Sequence, residues 1–276
     1  MKKKTEKISY EYTKALKENT QSIVKSTGKA RFADYSDDEL NSLPENIQES
    51  SFGCGNPLAF SQVQQGQTVL DLGSGAGLDL LLAAQRVGAT GQVIGVDMTE
   101  DMLKKAEQNI EKSGYTNILL KKGKIEELPL EANSIDWVIS NCVINLSSEK
   151  EQVFSEISRV LKPGGKLLVS DIVANQVPWW VKKSGILTAA CIGGTLSEKQ
   201  YLQKLHHAGL IKCKVKERQY YEPSQVAYIV MENFPKSITR LSCCGKNLIE
   251  KLLTRLAKPI SKRIWSAKIY GEMPIA

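Results

Sequence analysis

Between residue 67 and about residue 175 the apolar positions of the chain alternate between two textures. Short, nearly continuous apolar runs occur at Thr68–Leu72, Gln92–Asp97, Ile118–Lys122, Ile135–Asn141 and Lys166–Asp171. Runs of this length, bounded by turn residues, read as strands of a buried sheet. The intervening segments are longer, and their apolar residues recur every three or four positions. They predict helices over about 79–88, 100–113 (closed by Gly114) and 149–161. Lys162-Pro163-Gly164-Gly165 reads as the turn before the fifth strand. Strands separated by helices imply an α/β protein with a doubly wound, mostly parallel sheet.

The flanks are less regular. Upstream, Tyr10, Tyr12, Leu16 and Ile23 recur at helical spacing, Asp37-Asp38-Glu39-Leu40 starts a helix, and Pro44 stops it. Downstream, Pro178–Val181 and Leu187–Cys191 read as helical insertions over the sheet. Ser197 caps a helix to Ala208, Ile211–Arg218 alternates as a strand, 224–233 and 245–257 are helical, and Trp265–Tyr270 is a closing strand. The expected organisation is an N-terminal helical arm over 1–50, a central domain with substrate-covering insertions over 51–220, and a basic α+β extension over 221–276.

Composition narrows the class. The 276 residues are 42% hydrophobic and 24% charged, as in a soluble globular protein. No apolar run is long enough to span a bilayer, and the basic start is followed by no apolar signal core, so a cytoplasmic monomer is expected. The net charge of +7 is concentrated: between Lys236 and Lys268 nine basic residues face one acid, Glu250. That segment reads as a solvated surface, and it lacks the interleaved aromatics of single-strand nucleic-acid binders, so no nucleic-acid partner is expected. Six cysteines and no CxxC pair argue against a structural zinc site, and no metal is expected.

The chemistry is concentrated at strand ends. Val69-Leu70-Asp71-Leu72-Gly73-Ser74-Gly75-Ala76-Gly77 is a strand, an acid and a glycine-rich turn into a helix. The spacing is GxGxG, not the dinucleotide GxGxxG, and a P-loop lysine is absent. A carboxylate at Asp71 repels a pyrophosphate and attracts the ammonium or sulfonium of S-adenosylmethionine. Gly73, Gly75 and Gly77 let backbone approach a ligand beside Ser74. Asp97, at the end of the second strand, is placed to accept from ribose hydroxyls, with Met98 against the adenine. Gly123-Lys124-Ile125-Glu126 would flank the adenine, and Asn141 completes the candidate cofactor set.

Residues 67–171 resemble the class I methyltransferases, on Asp71–Gly77, Asp97 and Leu161-Lys162-Pro163-Gly164-Gly165. The resemblance implies their Rossmann-like seven-stranded sheet. A narrower resemblance, to the arsenite methyltransferases, runs from residue 51 to about 210. It rests on Gly53-Cys54-Gly55, Ser140-Asn141-Cys142-Val143-Ile144-Asn145-Leu146, Cys191-Ile192-Gly193-Gly194, Val96–Thr99 and Gly123–Pro129. It implies Cys142 and Cys191 as thiolate ligands of trivalent arsenic, with Cys54 as third ligand or redox partner. It further implies glutathione or thioredoxin as reductant, and a role in arsenic detoxification. Soft arsenic suits sulfur, and its lone pair accepts a methyl without a general base.

Many members of that family carry one more cysteine upstream. Here none precedes Cys54, and Ser26-Thr27 lie about where it would fall, a thiol set suited to methylarsenite as well as arsenite. Two other readings stay open. One is methylation of a small organic acceptor, a quinone or sterol-like ring, against Glu126, Trp179, Trp180 and Leu187. The other is a non-catalytic module that binds S-adenosylmethionine or arsenic. Cys213 reads as structural, and Cys243-Cys244 are unassigned.

Overall fold

In the computed structural model the described residues are 35–43, 55–59, 61–175, 194–232, 254–255, 257–258 and 261–275. The arm before residue 35, the insertions at 178–181 and 187–191 and most of the 245–257 helix lie outside them, as do Cys54, Cys191, Cys243 and Cys244.

The elements in chain order are α1 (Asp37–Asn41), β1 (Thr68–Leu72), α2 (Leu78–Val87), β2 (Gln92–Asp97), α3 (Glu100–Ser113), β3 (Ile118–Lys122) and β4 (Ile135–Asn141). A 3-10 turn (Ile144–Leu146), α4 (Lys150–Val160), β5 (Leu161–Ala174), α5 (Glu198–His207), β6 (Ile211–Tyr220), α6 (Pro223–Glu232) and β7 (Ile264–Glu272) follow. They build one seven-stranded sheet in the order β3-β2-β1-β4-β5-β7-β6. β1 to β5 are parallel, and β7 runs antiparallel between β5 and β6. This is the doubly wound α/β sheet that the alternation predicts.

The helices obey local rules. α3 ends on Gly114 in the left-handed region, where glycine carries no Cβ penalty. Ser197 caps α5 with a reciprocal capping box to Gln200, and Ser36 does the same for α1 with Glu39. Both sheet faces are covered. One packs Leu70, Leu72, Val138 and Val169 against Phe154 and Ile157 of α4 and Tyr201 and Leu205 of α5. The other packs Val69, Trp137, Ile139 and Leu168 against the leucines of α2 and Leu40 of α1.

One expectation is corrected. Lys162-Pro163-Gly164-Gly165 is not a turn ahead of the strand. It lies inside β5, whose pairing with β4 jumps from Ile135↔Leu161 to Trp137↔Lys166. The reason is a bulge: Gly164 takes φ +74 and donates to the Pro274 carbonyl, while Met273 donates to that of Gly165. The C-terminal strand also buries a cation. Lys268 is 2% exposed and pairs with Glu217 at 2.6 Å, so this member of the basic segment does not lie on a solvated surface.

Candidate active site

The sheet order reverses between β1 and β4, and in such sheets ligands bind beyond the carboxyl ends of the strands at that point. Asp71, Asp97 and Asn141 all lie there. The register pairs Asp71 with Gly95 and with Ile139, which puts these three side chains on the same face of the sheet. The glycine-rich turn follows β1: Gly73, Gly75 and Gly77 have φ of +66, +52 and +91. A β-carbon added at Gly73 would stand 2.5 Å from Val143, so the turn and the segment after β4 are in contact. Gly73 and Ser74 both donate to the Val96 carbonyl, fixing the turn against β2.

The two strand-end carboxylates differ. Asp97 is held by backbone N–H groups, accepting from Gly75 at 3.0 Å and Thr99 at 2.8 Å. Asp71 is 2% exposed, and no described residue donates to its carboxylate. Burial first, and then the charges of Asp79 and Asp97, push its pKa well above the usual carboxylate range. A buried anion without a partner is costly, and a cationic ligand would relieve the cost. The hydroxyl of Ser74 is likewise buried without a partner. Ile125 is buried, Met98 is half-buried, and Glu126 accepts from Ser147 at 2.5 Å, tying the loop after β3 to the loop after β4. These groups fit a cationic nucleoside such as S-adenosylmethionine: a bare carboxylate for the cation, a glycine turn for close approach, and Asp97 for a ribose.

A network missed in the sequence surrounds Asn141. Its amide donates to the carbonyl of Gly55 (2.6 Å), the hydroxyl of Tyr35 (3.1 Å) and Asp79 (3.2 Å). Tyr35 in turn donates to Asp79 at 2.8 Å. Burial raises Asp79 to about 6, against the lowering effect of these hydrogen bonds. Nearby, Glu39 accepts from Arg86 and Asn56, each at 2.9 Å, and Arg86 also holds the Leu58 carbonyl. The upstream segments are thus tied to α2 and the end of β4. One signal for Asp79 was available: it interrupts an otherwise apolar first turn, Leu78-Asp79-Leu80-Leu81.

Cys142 follows β4 directly. It is 2% exposed, adopts φ +63, and donates its N–H to the Ser170 carbonyl. A non-glycine residue in the left-handed region is unusual, and such conformations concentrate at functional sites. Cys142 is also disulfide-bonded, with its partner sulfur outside the described residues. Cys213 differs: half-buried in β6, it is pushed up to about 11 by burial, so its thiol stays protonated.

Residues 63–209, just over half of the chain, match the family model described as a methyltransferase domain. The chain belongs to the methyltransferase domain family. Within that family it is 43% identical over 176 residues to an arsenite methyltransferase of Halobacterium salinarum, covering 63% of this chain and 45% of that protein. To one of Mus musculus it is 40% identical over 172 residues, covering 59% and 45%. The chain thus spans about half the length of these curated relatives. Among solved structures, an arsenic(III) S-adenosylmethionine methyltransferase of Chlamydomonas reinhardtii superposes with a TM-score of 0.67 at 30% identity. That match covers 86% of this chain and 73% of that one. This methyltransferase domain therefore has the seven-stranded Rossmann-like sheet of its family. No helix among its described residues is long and apolar enough to cross a membrane.

Proposed function

We propose that this methyltransferase methylates trivalent arsenic, as arsenite or methylarsenite, held by thiolates of Cys142, Cys191 and Cys54, and so serves arsenic detoxification. The observation that carries the reading is Cys142. It is a buried cysteine in a left-handed conformation, one residue beyond the strand beside Asp71, and already bonded to a second sulfur. Its neighbour Val143 packs on Gly73 of the cofactor turn, so the thiol segment and the cofactor segment touch.

Asp71 would hold the cationic end of S-adenosylmethionine and Asp97 the ribose, with Ile125 and Met98 against the adenine. When bound, the cofactor would supply an electrophilic sulfonium methyl, and the arsenic lone pair would form the new As–C bond as the C–S bond breaks and its electron pair returns to sulfur. The residues of the chain grip and orient arsenic. They need not remove a proton from it, and among the described residues the histidines, His206 and His207, sit at the end of α5. The disulfide at Cys142 must first be reduced. Two molecules of a small thiol, or one thioredoxin dithiol, take the disulfide to two protein thiols and become a disulfide themselves.

The test is methyl transfer from labelled S-adenosylmethionine with glutathione and either arsenite or methylarsenite. Labelled methylarsenicals are expected. Cys142→Ser and Cys191→Ser are each expected to lower transfer to background while cofactor binding persists. Normal transfer by both variants would overturn the thiol site. No transfer to either arsenical with cofactor bound would shift the acceptor to an organic molecule.

A further inference from the structure

One side-chain hydrogen bond crosses the ligand edge of the sheet. Ser147, just beyond the 3-10 turn after β4, donates its hydroxyl to Glu126 in the loop after β3, at 2.5 Å. In sheet order β3 and β4 are separated by β2 and β1. Three strand spacings amount to about 14 Å, so loops leaving β3 and β4 meet only by arching over the carboxyl ends of the two strands between them. The arch rests on apolar residues: Ile125, Leu128 and Ile144 pack in one cluster with Leu72 of β1 and Val96 of β2. Leu72 and Val96 are register partners, and their neighbours Asp71 and Asp97 project from the opposite face of the sheet. The strand ends therefore lie between the arch on one face and the acids on the other.

The rest of both loops is held by other groups. The Gly123 N–H donates to the Asp97 carbonyl, and the Glu127 N–H closes a turn on the Lys124 carbonyl, each at 3.1 Å. Farther on, the Leu128 N–H donates to Glu156 of α4 at 2.7 Å, and Arg159 holds the carbonyls of Leu128 and Leu130. The turn after β4 is likewise pinned without the Ser147 hydroxyl, because Lys150 donates to the main-chain carbonyls of Asn145 and Ser147. Ser147 is buried and Glu126 half-buried. What their bond adds is the place of the loop tip over the strand ends, and a hydrogen bond to a carboxylate is among the stronger kinds.

We infer that Ser147 is a positioning residue: by holding Glu126 it clasps the tip of the loop after β3 over the adenine end of the cofactor crevice. The inference rests on the reading of Asp71 as partner of the cation of S-adenosylmethionine and of Asp97 as partner of its ribose. Asp71 ends β1 and Asp97 ends β2, so the base comes next along the sheet, toward β3 and the tip that Ser147 holds. A tip already ordered in the free protein removes an ordering cost from binding.

The experiment titrates the full chain calorimetrically with S-adenosylmethionine and with methylthioadenosine, which keeps the adenosine and lacks the amino-acid end and the charge. Ser147→Ala is expected to weaken both ligands by the same factor, roughly tenfold. Asp71→Asn is expected to weaken S-adenosylmethionine alone. Ser147→Thr keeps the hydroxyl and should restore binding. The double variant of Ser147→Ala with Glu126→Ala should bind no more weakly than Glu126→Ala, since its second substitution removes a partner already lost. Ser147 also accepts from the Glu149 N–H at 3.0 Å, so Ser147→Ala will melt earlier, and the titrations are made below that range. Where Ser147→Ala does not fold, Glu126→Ala breaks the same bond from its half-exposed side. Wild-type affinity for both ligands in either folded variant overturns the inference. So do additive losses in the double variant, or a Ser147→Ala loss confined to S-adenosylmethionine. If the wild type binds neither ligand, the cofactor reading itself is wrong; if it binds both and the variants match it, only the positioning role falls.

Discussion

Asp71 and Asp171 occupy comparable places, each buried in a central parallel strand near its carboxyl end, yet they are treated in opposite ways. Asp171 is surrounded by donors from Asn145, Ile172 and Tyr201, with Lys150 nearby. Asp71 has none among the described residues, and its closest charged company is acidic. A buried carboxyl satisfied by its own protein is part of the scaffold. One left without a donor carries a desolvation cost that a cationic ligand would relieve. The end of β1 therefore suits an incoming positive charge, whereas Asp171 of β5 is already satisfied by its own protein.

The largest effect that sharpens this contrast concerns Asp171. Burial raises its pKa to about 7, against the lowering influence of Lys150 and its hydrogen bonds. The folded state then holds a proton that the unfolded state releases above its ordinary value of 3.8. Stability carried by this group is complete below about pH 4, falls as pH rises, and is lost by about pH 7. The unfolding free energy of the wild type relative to Asp171→Asn should decline across that window by on the order of 4 kcal/mol as an upper bound. Denaturant titrations of both proteins at several pH values measure the difference. A flat difference would mean that Lys150 and the hydrogen-bond network offset the burial in full, leaving Asp171 to ionise normally.

Next is Asp71→Asn. Cofactor affinity should fall by roughly 100-fold, since the amide offers no charge to a cation. The ligand-free protein should gain stability relative to the wild type as pH rises, because the amide replaces a buried carboxyl that must otherwise ionise without a partner. Calorimetric titration with S-adenosylmethionine and a thermal melt read the two quantities. Opposite signs mark a carboxyl that serves a ligand. A loss in both would make Asp71 another scaffold carboxyl like Asp171.

How much of this could be read beforehand follows the same division. β1 to β4 have the bounds that their apolar runs predict; β1, β2 and β4 are buried on both faces, which leaves little room for ambiguity, and β3 is a half-exposed edge strand. The glycine turn, Asp71 and Asp97 were legible because their chemistry is local, an acid and glycines within seven residues. The Asn141 network was not. It joins Tyr35, Asp79 and Gly55 across separations of up to 106 residues, and no short-range pattern marks such a meeting. Asn145 was quoted within a motif, but its partner Asp171 lies 26 residues away on the next strand. The bulge in β5 was hidden because proline and two glycines carry the same signal in a bulge as in a turn.

The smallest effect lies between the two carboxylates, at Tyr35. Its hydroxyl donates to Asp79 and accepts from Asn141, and it belongs to a segment well outside the sheet. Tyr35→Phe removes one donor from a carboxyl already raised to about 6, so Asp79 should hold its proton to still higher pH. Stability should drop by about 1 kcal/mol, the usual net worth of one buried hydrogen bond. Cofactor affinity should change only if the Asp79 charge is felt at Asp71, because a neutral Asp79 withdraws a negative neighbour and eases the ionisation of Asp71. Binding of S-adenosylmethionine measured from pH 5.5 to 8 separates the cases. Tighter binding by Tyr35→Phe just above pH 6, where Asp79 is charged in the wild type and still protonated in the variant, shows that the two carboxyls act as a pair. An unchanged profile places Asp79 with Asp171, as a group that holds the chain together.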